Sequence, residues 1–102
     1  MAMDVIKAIR MAVDTGKVEL GAVKTEKQIK NGKGKIVLIS NNCPEDRRQS
    51  IEYYSKLSNI PLYQFKGSNM ELGEACGKPF SVSAMLVFEQ GDSNIFKLIE
   101  QG

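Results

Sequence analysis

The sequence predicts an α/β fold, a three-layer α-β-α sandwich with helices on both faces of a central four-stranded mixed sheet. Three observations lead there. Segments with helical apolar spacing alternate with short strand-like runs in the order α-β-α-β-α-β-α-β-α. Lys35-Ile36-Val37-Leu38-Ile39-Ser40 is an apolar, β-branched run of the kind buried on both faces of a sheet. Glycine, asparagine and proline signals punctuate the chain between these runs. A chain of 102 residues makes one domain, 1–102, because two would each be too small to bury a core.

Asp4 is placed to cap a first helix whose apolar stripe is Val5, Ile6, Ile9 and Val13, and Thr15-Gly16 stops it. Val18-Glu19-Leu20 alternates as a short strand at or near an edge of the sheet. Ala22 to Asn31 reads as a second helix, thinly apolar through Ala22, Val23 and Ile29. Thr25-x-x-Gln28 resembles a capping box, which would start that helix a turn later. Asn31-Gly32 closes it, and the Ile36 strand follows.

Pro44 suits the first position of a third helix, with Glu45 and Asp46 favourably placed in its first turn. Its buried side is read as Ile51, Tyr54, Leu57 and Tyr53, with Arg47, Arg48, Glu52 and Lys56 outside. Ser58-Asn59 ends it and Ile60 to Phe65 is the next strand. Tyr53, Tyr54, Tyr63 and Phe65 are read as core or core-rim aromatics. Ser68-Asn69-Met70-Glu71 is a capping box opening a short fourth helix, and Gly77 is a natural left-handed terminator. Val82 to Phe88 is the last strand, with Ala84, Leu86 and Phe88 on one face and Met85 and Val87 on the other. Asn94 to Glu100 forms a terminal helix packing Ile95, Leu98 and Ile99 inward.

Composition excludes several classes. The chain has no histidine, which removes the Ser-His and Cys-His nucleophile systems and the usual zinc ligands. Cys43 and Cys76 have no metal-ligand spacing and are expected as free, buried or semi-buried thiols. No apolar run approaches the roughly 20 residues that span a bilayer. The N-terminus lacks the pattern of a secretory signal, so no membrane association and a cytoplasmic location are expected. Net charge is only +2, so any case for a nucleic acid rests on where the charge lies.

That distribution points to one end of the sheet. Asn41-Asn42-Cys43-Pro44 joins the carboxyl end of the Ile36 strand to the third helix, in the crevice where open α/β sheets gather ligands. Two amides there can read donors and acceptors, or else Asn42 caps the helix and Asn41 makes a turn. Gly21, after the first strand, leaves room for close backbone approach, and the helix start beside it is a natural phosphate seat. Lys24, Lys27 and Lys30 fall near one helix face, with Lys33 and Lys35 in the turn beyond; the bland reading is a solvated surface. Arg47 lies one turn past Pro44. Phe80, after Pro79, is either tucked under its own loop or exposed to stack on an unpaired base. Gly73 to Lys78 and Asn31 to Lys35 both fail as phosphate loops, by spacing and by context. No carboxylate pair stands out as a catalytic dyad.

Taken together, Leu20-Gly21, the lysine-rich helix ending Asn31-Gly32-Lys33-Gly34-Lys35, Ile39-Ser40-Asn41-Asn42-Cys43-Pro44, Ile51-Glu52-Tyr53-Tyr54 and Asn69-Met70-Glu71-Leu72-Gly73 with Gly77-Lys78 carry a resemblance. In order and spacing they resemble the archaeal L-thirty-e branch of the kink-turn RNA-binding family of large-subunit ribosomal proteins. The match covers essentially the whole chain. The resemblance implies an α-β-α sandwich, no catalysis, no cofactor and no metal. Its partners would be ribosomal RNA, as a helix–internal loop–helix, and neighbouring large-subunit components, with the free protein a monomer. Carried over, Gly21 would admit the RNA backbone and Lys24 and Lys27 would hold phosphates. Asn42 would read a base edge and Arg47 would add a backbone contact. Phe80 and Val82 would pack on an unstacked base, with Ser83 beside them. The sister branches carry Asn-Glu where this chain has Val23-Lys24. The competing expectations are a protein- or small-ligand-binding adaptor on the same scaffold and, less well supported by residues, a small enzyme.

Overall fold

In a computed structural model, which describes residues 4–100, nine elements follow the expected order. They are α1 (Val5–Thr15), β1 (Lys17–Leu20), α2 (Ala22–Lys30), β2 (Ile36–Ile39), α3 (Glu45–Leu57), β3 (Leu62–Gln64), α4 (Asn69–Ala75), β4 (Ala84–Glu89) and α5 (Lys97–Glu100). The sheet order is β1-β4-β2-β3. β4 runs antiparallel to both neighbours, β1 and β2, while β2 and β3 are parallel. The last strand of the chain therefore sits inside the sheet, and β1, β2 and β3 all point the same way. Their carboxyl ends and the entry to β4 share one edge.

The alternation of side chains along β2 and β4 builds two cores. Ile36, Leu38, Met85 and Val87 face a layer containing Ile9 of α1, Leu72 of α4 and Ile95 and Leu98 at the C-terminus. Val37, Ile39, Ala84 and Leu86 face Ile29 of α2 and Ile51 of α3. Each fully buried aliphatic side chain here contributes about 1.5–3 kcal/mol. The sandwich is thus three layers, and β2 is buried on both faces as its sequence requires.

The local signals mostly hold. Asp4 caps α1 by accepting from the Lys7 N–H at 3.1 Å, and Ser68 and Glu71 form the reciprocal capping box of α4. Other readings are corrected. α2 begins at Ala22, with Gly21 as its N-cap, so Thr25 is an interior helix residue, buried, and not a cap. Pro44 is the N-cap of α3, one position before the helix. Ile6, Val23, Tyr53 and Leu57 are exposed and not core. On α3 only Ile51 and Ser55 are fully covered, and Ile51 packs into the core with Ile29 of α2 and Val37 and Ile39 of β2. β1 is an edge strand, as expected. The expected packing of Ile99 lies outside the described residues.

Candidate nucleic-acid interface

Four chain crossings meet at the shared sheet edge, and backbone hydrogen bonds lock them together. The Gly21 N–H donates to the Ala84 carbonyl at 2.8 Å, and the Ser40 N–H to that of Ser83 at 2.9 Å. The Asn41 N–H donates to Gly67 at 2.8 Å, and the Val82 N–H to Asn69 at 2.9 Å. An edge tied in this way presents its side chains from fixed positions.

Asn42 is the hub of the side-chain network. Its Oδ1 accepts from the Asn69 backbone N–H at 2.7 Å and from the Ser40 hydroxyl at 3.2 Å. Its Nδ2 donates to Asn69 Oδ1 at 3.2 Å. Because a backbone N–H can only donate, the oxygen of Asn42 must face Asn69. One Nδ2 proton is left over on an exposed side chain, ready for an outside acceptor. Asn42 therefore does not cap α3; it ties the loop after β2 to the start of α4. The sequence assigns Asn69 no site role; it stands there in the capping box and in the Asn69–Gly73 segment of the resemblance. Its own Nδ2 donates to Ser83 Oγ at 3.4 Å, which brings Ser83 into the network.

Gly21 has φ +112°, a conformation that side chains rarely adopt, yet a Cβ added there would meet nothing within 4 Å. The surface above it is open. Val23, 64% exposed, and the exposed Lys24 and Lys27 rise from the first turns of α2 beside it. Neither lysine is ion-paired among the described residues. Across the edge, Phe80 is 53% exposed at the tip of the loop before β4. That loop is held down by Gly73, where a Cβ would stand 2.0 Å from the Phe80 carbonyl oxygen. Met70, 60% exposed, opens α4 next to Asn69.

Two of the residues expected here are placed differently. Val82 is fully buried in the core with Met85 and Leu72, so it anchors the loop and offers no surface to a base. Phe80 and Val82 are two apart on a chain entering a strand, and such neighbours point to the same side only once the strand has begun. Arg47 is half-buried and gives Nη1 to Glu26 Oε2 at 2.7 Å, joining α3 to α2. The Ser50 hydroxyl beside Glu26, with Arg47 and more weakly Lys30, holds its carboxyl below the usual range despite the opposing effect of burial. Asn41 is exposed, with its backbone N–H tied to the loop after β3. Both thiols are free and buried, and burial pushes them up, Cys76 to about 11, so neither is a thiolate at neutral pH. Among the described residues no group of His, Cys, Asp or Glu could hold a metal.

The interface thus offers an open glycine, unpaired lysines at a helix start, an amide with a spare donor, and an exposed ring. Comparison with known proteins gives the family. The chain is 56% identical to the large ribosomal subunit protein eL30 of Methanocaldococcus jannaschii over 99 residues, covering 97% of this chain and 90% of that protein. It is 50% identical to the protein of the same name from Methanothermobacter thermautotrophicus, over 95% of this chain and 99% of the other. The Methanosphaera stadtmanae protein is also 50% identical, over 96% of this chain and its own full length. Residues 3–97 match the family described as ribosomal protein L7Ae/L30e/S12e/Gadd45, and the chain belongs to that family.

Proposed function

We propose that the chain is a structural, non-catalytic component of the large ribosomal subunit in the cytoplasm, binding a kink-turn-like internal loop of ribosomal RNA. The reading is supported by Gly21, Asn42 and the loop carrying Phe80 lying at one end of the sheet, with Lys24 and Lys27 on the helix that starts there. The shared name of its close relatives supports the ribosomal setting. RNA recognition favours internal loops whose splayed bases can be stacked and read on their edges. In this scheme the RNA backbone crosses Gly21 and its phosphates meet Lys24 and Lys27. The spare Nδ2 proton of Asn42 donates to an acceptor on a base edge. Phe80 stacks on an unpaired base. Arg47 keeps donors beyond the one given to Glu26 for a phosphate, and Ser83 positions Asn69 beside Asn42. The free protein is a monomer that meets its ribosomal neighbours on assembly.

Equilibrium binding to an RNA with such an internal loop, across a salt series, tests the reading. Binding should weaken with salt, with a slope of roughly −0.7 to −0.9 per neutralised phosphate. Phe80→Ala should cost about 1–3 kcal/mol. Binding that ignores both the loop and Phe80 would reduce the interface to a lysine patch. Absence of binding to any structured ribosomal RNA would overturn the reading in favour of a protein- or small-ligand adaptor.

A further inference from the structure

We propose that the opposite end of the sheet is a second, sequence-independent seat for a nucleic-acid phosphate backbone, made by Lys17, Lys33 and Lys35. The lysines that look like one run in the sequence are divided by the fold. Lys24 stands in the first turn of α2 beside Gly21, whereas Lys33 and Lys35 lie at the amino end of β2, where Lys17 opens β1. There the three line one open groove of about 490 Å³ with Gln28 and Phe88. Glu19 also lines it and Glu89 pairs with Lys17 across the strands, yet none of the three lysines is ion-paired among the described residues. Lys17 Nζ lies 5.7 Å from the centre of the Phe88 ring, which orients it over the groove.

The turn carrying the other two is rigid. The Gly32 N–H donates to Ile29 at 2.8 Å, the Lys33 N–H to Gln28 at 3.0 Å and the Lys35 N–H to Val87 at 2.8 Å. Gly34 sits at φ +114° against Leu86, with no room for a Cβ. The backbone carrying the three cations is already fixed, so a phosphate chain has only their side-chain rotamers to order. From Ser83 to Glu89 β4 spans roughly 20 Å at about 3.3 Å per residue, well beyond a screening length of about 8 Å. Lys24 at one end and the three lysines at the other therefore act as separate electrostatic sites, with Lys27 on α2 between them, and the protein can hold two nucleic-acid segments at once. The inference rests on the RNA reading only for the identity of the polyanion.

The experiment uses the full chain saturated with a kink-turn-like loop RNA, to which a plain labelled 12-base-pair RNA duplex is added while anisotropy is read. The duplex should join the complex with a salt slope of about −2.7, a loss of roughly 40-fold between 50 and 200 mM salt. Changing Lys17, Lys33 and Lys35 together to Gln should flatten that slope by about one per lysine and leave loop-RNA binding unchanged. Lys24→Gln should do the reverse. Failure of the duplex to join, or an identical slope in the triple variant with an unaltered circular dichroism spectrum, overturns the proposal. If the loop RNA does not bind but the free chain takes up the duplex through these three lysines, this inference stands and the loop reading falls.

Discussion

Gly21 and Gly34 share almost the same φ, +112° and +114°, at opposite ends of the sheet. Their surroundings differ completely. A Cβ on Gly21 would meet nothing within 4 Å, while a Cβ on Gly34 would lie 2.4 Å from Leu86 Cδ1. One glycine keeps a surface clear for something outside the protein. The other lets a turn close down on the core. The same residue type in the same dihedral region thus serves recognition at one end and packing at the other, and substitutions should separate the two.

The largest loss should follow Gly34→Ala. Backbone strain of roughly 1–3 kcal/mol adds to a similar cost for overpacking against Leu86. At about 4–8 °C per kcal/mol for a domain of this size, calorimetry should show a melting temperature lower by more than about 10 °C. A drop no greater than that of Gly21→Ala would break the comparison. Gly21→Ala carries the strain alone, roughly 1–3 kcal/mol, but should also weaken loop-RNA binding, because the new methyl stands where the RNA backbone is proposed to cross. Phe80→Ala sharpens the contrast from the other side: about 1–3 kcal/mol lost in RNA binding, with thermal unfolding almost unmoved since the ring is half exposed.

The smallest effect concerns Glu26. Its carboxyl is held below its ordinary value of 4.5, so its contribution to stability is complete above that pH and fades as pH falls through the lowered value. Glu26→Gln should cost about 1 kcal/mol at neutral pH, read by urea unfolding. The gap to the unaltered chain should close in acid. A gap that stays constant down to pH 3 would show that the Arg47 pair does not depend on the charge.

How much of this is legible without coordinates depends on the range of the interaction involved. Asp4, Ser68 with Glu71, and Gly77 act within four residues of themselves, and each performs the local role its spacing implies. The alternation in Ala84 to Phe88 likewise predicts which residues face which core, because the pleat has a period of two. By contrast, Thr25 fits a capping box in sequence, but the helix is already running from Gly21 and the pattern has no free N–H to serve. Tyr53 and Leu57 fit an apolar stripe on α3, but the fold covers only Ile51 and Ser55 of that helix, and a helix period cannot state how wide its neighbours are.

By itself the sequence determined the order and kind of the elements, the double burial of β2 and the residue types available at each strand end, since these follow from local sterics and hydrophobic period. Only the tertiary structure decided what those residues do. Parallel pairing of β2 with β3 brings Asn42 to Asn69, 27 residues away, and α2, running back from the end of β1 to the start of β2, splits one run of lysines between two ends of the sheet. Packing of β4 between β1 and β2 sets its entry loop at the same end as Asn42. It also buries Val82 while leaving Phe80 in the open. Each of these outcomes depends on which distant segment packs alongside, a question of loop closure and core filling that no local pattern encodes.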